Sequence, residues 1–143
     1  MNNRYICKAK RKDNNEWVEG VAIFADNKAF ILNNAKVEFI KGFNENRLNF
    51  VLVEVIPETV RQCTTLTDKN GKWIFEGDVV RTKYYGKIIG NRNVADYDTF
   101  KIVYVCGMHK VENKNRSFIL VSGEQYEVIG NIHDNPDLLE VER

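Results

Sequence analysis

Two histidines and three cysteines are the residues of this chain best suited to covalent or metal chemistry. Cys106-Gly107-Met108-His109 places one thiol and one imidazole close together in sequence. Such a pair could be half of a zinc site, but structural zinc takes four ligands. Cys7 and Cys63 would have to complete it from far away, and neither has a partner at metal-binding spacing. A catalytic thiol would need a base held against it by the fold. The expectation is therefore that His109 is a loop residue, Cys106 a packed strand residue, and the odd, scattered cysteines reduced structural thiols. His133-Asp134 is a second imidazole–acid neighbourhood, but Asp134-Asn135-Pro136 is turn chemistry. Glu76 and Asp78 could form a hydrolytic carboxylate pair or simply close a turn at Gly77. Asp68, Asn70 and Gly71 look like the start of an acidic calcium loop. That loop needs Gly at its sixth position and a bidentate Glu at its twelfth, where this chain has Trp73 and Val79. There is no glycine-rich phosphate loop. No catalytic residue, metal site or cofactor is expected, and the chain reads as a non-enzyme.

The best functional cluster is basic. If Val79–Lys87 is a strand, Arg81, Lys83, Tyr85 and Lys87 share one face, because side chains alternate. Cations for phosphate and a ring for base stacking are the components of a single-stranded nucleic-acid groove. The competing account is a solvated outer face whose lysines discourage edge pairing. A net charge of only +1 favours that account.

These residues must be positioned by short strands. The organising run is Leu66–Val80. Asn70-Gly71 is a strong hairpin signal, read as a type I′ turn with positive φ at both residues. Trp73-Ile74-Phe75 suits a half-buried strand, and Gly77 suits a left-handed turn before Val79-Val80 starts another. Earlier, turns are expected at Asp13-Asn14-Asn15, Asp26-Asn27 and Asn33-Asn34, with Gly20 interrupting the strand Trp17–Phe24. Leu48–Ile56 is apolar on both faces and is expected near the centre of a sheet, ended by Pro57. Glu58–Leu66 could be extended or a helical turn. Later, Gly86 marks a bend, Gly90–Thr99 reads as a polar loop, and Phe100–Cys106 and Ser117–Val121 read as a hairpin across polar Gly107–Arg116. Tyr126–Ile132 is the last strand. Asn135 as N-cap, Pro136 and Asp137 start a short C-terminal helical turn.

Turn signals about every 8–12 residues, with little helical periodicity, predict a mainly β protein of short antiparallel strands in a barrel or sandwich. Phe75–Ile132 could close as a small SH3-like barrel. At 143 residues the chain suits one domain, divisible into an N-terminal β subdomain, 1–65, and a small β-barrel subdomain, 66–143. A hydrophobic fraction of 43% and a charged fraction of 29% exclude a disordered chain. With no signal-peptide apolar region and no membrane-length apolar run, a cytoplasmic location is expected, with no membrane partner.

Three segments carry a family likeness: Val55-Ile-Pro-Glu-Thr-Val60, Leu66–Val80, and Tyr126-Glu-Val-Ile-Gly-Asn-Ile-His-Asp-Asn-Pro-Asp-Leu-Leu139, with Arg11–Gly20 also in keeping. On these the chain resembles the YopX family of phage and prophage proteins over essentially its whole length. The resemblance implies a mainly β protein from a phage or prophage region and carries over no catalytic residue. Family members typically have Gly, an aromatic and Gly near the positions of Arg61, Cys63 and Thr65, so the approach to the central turn is less flexible here. The expectation is an accessory binding or assembly module that self-associates, with nucleic acid or a host protein as further candidate partners.

Overall fold

A computed structural model describes residues 3–40, 45–89 and 92–140; side chains are described for 4–33, 49–83 and 96–140. The chain is mainly β and divides into two compact units, Met1–Gln62 and Cys63–Arg143. The first unit is an antiparallel meander of β1 (Cys7–Lys10), β2 (Trp17–Ala25), β3 (Lys28–Ile40) and β4 (Glu45–Val55), side by side in the order β4-β3-β2-β1. Asp26 and Asn27, with φ of 49° and 60°, make the two-residue β2–β3 turn. Both positive values match the primed turns that fit strand twist. Gly20 sits where β2 passes from pairing with β1 to pairing with β3. A Cβ there would lie 2.1 Å from the Leu32 carbonyl oxygen, so only glycine permits the approach. The core is Ala9, Val18, Ala29, Ile31 and Val55, all on one face.

Two expectations fail in this unit. Asn33-Asn34 is not a turn: β3 runs through it, and the register with β4 shifts between Asn33 and Lys36. One extra residue is absorbed as a bulge rather than reversing the chain. β4 is an edge strand, not a central one. Apolar residues on both its faces do mark burial for Val55, but Phe50, Val51 and Leu52 are exposed at 47%, 51% and 47%. The strand-like pattern of Val37–Phe43 reaches, with Gly42, into residues 41–44, which lie outside the described residues, as does Asn44 at the start of the polar stretch Asn44–Asn46.

After a 3-10 turn at Pro57–Thr59, β5 (Arg61–Thr67) begins beside β1, pairing Cys7 with Gln62, so Glu58–Leu66 contains both forms considered for it. β5 continues into the second unit, where Cys63 and Thr67 pair with Phe75 and Trp73 of β6 (Trp73–Phe75). A five-stranded antiparallel sheet follows, in the order β10-β9-β8-β7-β11: β7 is Asp78–Ile89, β8 Arg92–Val105, β9 Met108–Glu112, β10 Ser117–Ile119 and β11 Tyr126–Asn131. Its core is Ile74, Val80, Phe100, Ile102, Val111, Leu120 and Tyr126, with the Phe100 and Tyr126 rings edge-on at 6.3 Å.

The SH3-like barrel expected here is corrected to an open sheet. Closure requires the two edges to pair, and the edges are β10, only three residues long, and β11. The polar stretch Gly107–Arg116 holds a strand, β9, so β8 pairs with β9 rather than with the Ser117 segment. Much of the Gly90–Thr99 loop is likewise strand, as the first half of β8. The tail turn, Pro136–Leu139, is a 3-10 helix; the Asn135 side chain does not cap it but accepts a bond from the Asn131 N–H at 3.3 Å.

Candidate functional site

The central run is built around Asp68. One of its carboxylate oxygens accepts the N–H groups of Asn70 and Lys72, each at 2.9 Å; the other accepts the Val128 N–H at 3.0 Å. Burial pushes this carboxyl up, but the donors from Val128, Lys72 and Asn70 outweigh that and hold it below the usual carboxylate range. Asp68 therefore ties the turn to β11, and its oxygens are engaged by backbone rather than aimed at a cation. The turn itself differs from expectation. The Gly71 N–H donates to the Asp68 carbonyl, and the Asp68 N–H to the Lys72 carbonyl. Gly71 has φ of 80°, while Asn70 is not left-handed. That is a three-residue hairpin with a terminal glycine, not a two-residue type I′ turn.

Before this turn, β5 shifts register against β6 between Cys63 and Thr67. Thr65 sits in the shift with φ of 68°. A β-branched residue is strongly disfavoured there, whereas glycine is at ease. After the turn, Gly77 takes φ of 75°, as expected, and the Asp78 carboxylate accepts the Phe75 N–H at 2.8 Å. Asp78 is buried. The pair Glu76/Asp78 is thus not a pair: Asp78 clamps the turn, and Glu76 reaches His109.

His109 Nε2 lies 3.4 Å from Glu76 Oε1, and its ring packs 5.0 Å from that of Tyr104, its cross-strand partner. The imidazole–acid contact is not a well-angled hydrogen bond. His109 is on β9, not in a loop. Cys106 is exposed and, with Gly107, forms the β8–β9 turn; their φ values are 52° and 79°. Its expected place as a packed strand residue is corrected, because the hairpin reverses one residue earlier than the apolar run suggests. His133 and Asp134 donate their N–H groups to the Asn131 side-chain oxygen at 3.0 Å, within a turn. Among the described residues no three His, Cys, Asp or Glu side chains group as metal ligands.

The basic stripe divides. Arg81 and Lys83 pair with Thr99 and Tyr97 of β8 and so share a face. The register then shifts between Tyr84 and Lys87, at the expected Gly86 bend, and Lys87 pairs with Val94. Val94 has the parity of Asp96 and Asp98, the partners of Tyr84 and Thr82. The alternation linking Arg81 to Lys87 is thereby broken. The side chains of Tyr85 and Lys87 lie outside the described residues. Arg81 Nε donates to Glu127 at 2.9 Å, and its guanidinium lies 4.8 Å over the Tyr97 ring. The Arg81 hydrogen bond holds Glu127 below the usual carboxylate range, and Lys69 adds to it at 3.5 Å. Arg81 is a paired cation on a ring it already covers.

The surface that sequence reasoning missed is apolar. On the side of the first-unit sheet opposite its core, Val21 pairs with Leu32 and Leu32 with Leu52, while Ile23 pairs with Phe30. Val21 is 43% and Ile23 39% exposed. The signal was present in the two-faced apolar pattern of β4, which was read as burial.

A YopX protein family model matches residues 7–140. The chain belongs to the YopX family. The crystal structure of protein EF1440 from Enterococcus faecalis is similar, with a TM-score of 0.63 at 24% identity, covering 93% of this chain and 96% of that one. This likeness speaks to the fold alone. No curated protein matches the sequence. Among the described residues no helix is long and apolar enough to cross a membrane.

Proposed function

We propose that this YopX-family chain is a phage- or prophage-encoded accessory protein of the bacterial host cytoplasm, acting by binding rather than catalysis and associating with itself. The observation that carries this reading is the apolar outer side of the β2–β3–β4 sheet, where Val21, Ile23, Phe50 and Leu52 are each about 40–50% exposed. Contiguous apolar surface of this kind marks interaction sites more often than free surface. Two buried acids of the second unit support the same reading, because the Asp68 and Asp78 carboxylates accept backbone N–H groups and hold turns together.

Light scattering across a concentration series tests it. The expected result is a mass that rises from one chain toward two between low and high micromolar concentration. A mass of one chain throughout would remove self-association and leave only a foreign partner for this surface.

A further inference from the structure

The outer edge of β4 is already half used as a ladder. The Lys12 N–H donates to the Glu54 carbonyl at 3.1 Å, and the Ile56 N–H donates to the Lys10 carbonyl at 2.8 Å, around an Arg11–Val55 bridge. Backbone groups alternate sides along a strand. Since Glu54 and Ile56 present theirs outward, Leu52 and Phe50 do too, while Val51, Val53 and Val55 bond inward to β3. The segment from the end of β1 stops at Glu54. Beyond it the edge continues as Asn49-Phe50-Val51-Leu52, where all four residues are exposed. This stretch has none of the usual edge protection: no Lys, no Pro and no inward charge. It is apolar on both faces of the sheet, with Phe50 and Leu52 on one and Val51 on the other.

We infer that this edge pairs antiparallel with the same edge of a second copy of the chain, joining two first-unit sheets across a two-fold axis. The inference rests on the self-association reading above and gives it a location. A second copy fits because an isologous antiparallel pair brings the same short segment against itself. The outward N–H and C=O groups of Phe50 and Leu52 then meet groups of the same parity. Phe50, Val51 and Leu52 meet apolar neighbours on both faces, with no charge to desolvate. The contact is small against the ~1,200–2,000 Å² of a standard interface, so the dimer is a weak one, with Kd in the micromolar range or above.

Sedimentation velocity and amide hydrogen exchange, read against concentration, test it on the full chain. In the dimer, exchange at residues 49–52 slows as concentration rises. Phe50→Pro removes an outward donor while leaving the β3 ladder intact, and it weakens dimerisation at least tenfold. Val121→Lys changes an exposed residue of the second unit, outside this face, and leaves dimerisation within about twofold. A wild-type chain that stays monomeric overturns this inference and the self-association part of the preceding reading, leaving a foreign partner for the apolar face. A wild-type dimer with unchanged exchange at 49–52 overturns the edge alone. So does a dimer lost in Val121→Lys but kept in Phe50→Pro. The exchange measurement needs no variant, so a Phe50→Pro chain that fails to fold does not remove the test.

Discussion

Replacing Thr65 by glycine should stabilise this protein, although most substitutions do the reverse. Thr65 holds φ of 68° within the irregular stretch of β5. The left-handed conformation costs a residue with a Cβ about 1–2 kcal/mol, and branching at Cβ puts threonine at the upper end. Glycine removes that cost but adds about 0.5–1 kcal/mol of unfolded-chain entropy. The Thr65 side chain is exposed, so its loss opens no cavity. The Thr65 N–H bond to the Cys63 sulfur, at 3.4 Å, is made by backbone and survives. The balance is a gain of about 1–1.5 kcal/mol, or about 3–5 °C in Tm for a chain of this size. Differential scanning calorimetry and urea unfolding followed by tryptophan fluorescence both read it, with Trp73 pairing directly with β5. Thr65→Val, which keeps the branch, should show no gain. An unchanged or lowered Tm for Thr65→Gly would refute the claim that strain is stored at this residue.

Removing the Asp68 carboxylate, by Asp68→Ala, strands the Val128 N–H and frees the turn, and should cost about 2–4 kcal/mol by urea unfolding. Because the folded carboxyl titrates lower than the unfolded one, its contribution is present above pH ~4 and fades as pH falls through the folded value. The wild-type advantage over Asp68→Ala should therefore shrink in acid, as paired urea titrations between pH 6 and pH 2 would show. Gly20→Ala forces a Cβ against the Leu32 carbonyl and should lower stability by about 1–3 kcal/mol; a Tm equal to wild type would mean the strand can shift freely. Nucleic acid remains the competing partner through Arg81 and Lys83. Since Arg81 is paired with Glu127, any binding of single strands at low salt should have a shallow salt slope that Arg81→Ala with Lys83→Ala hardly alters. A steep slope flattened by those changes would restore the basic-face account.

Much of the turn chemistry of both units was legible in advance because it is local. Gly77 needs positive φ whatever surrounds it, and Asp26-Asn27 is a turn by its own side chains. The family likeness also ran through the Gly77 turn. The resemblance implied only a less flexible approach to the central turn around Arg61, Cys63 and Thr65; the positive φ of Thr65 came from the structure. Asp68 was visible as a turn former but not as the tie to Val128, sixty residues away, because no local pattern encodes a contact of that separation.

What the chain alone determined was its β character, its punctuation by Gly, Asn and Pro, and its family. What tertiary structure decided was which strands lie at edges and which faces are covered. The same apolar alternation in β4 describes a strand buried between neighbours or one left open on its outer side. The order of strands distinguishes the two, and that order depends on how distant segments compete to pair. The basic stripe shows the same limit: one extra residue between Tyr84 and Lys87 changes the face of everything beyond it. A period of two carries no memory of where a register will slip.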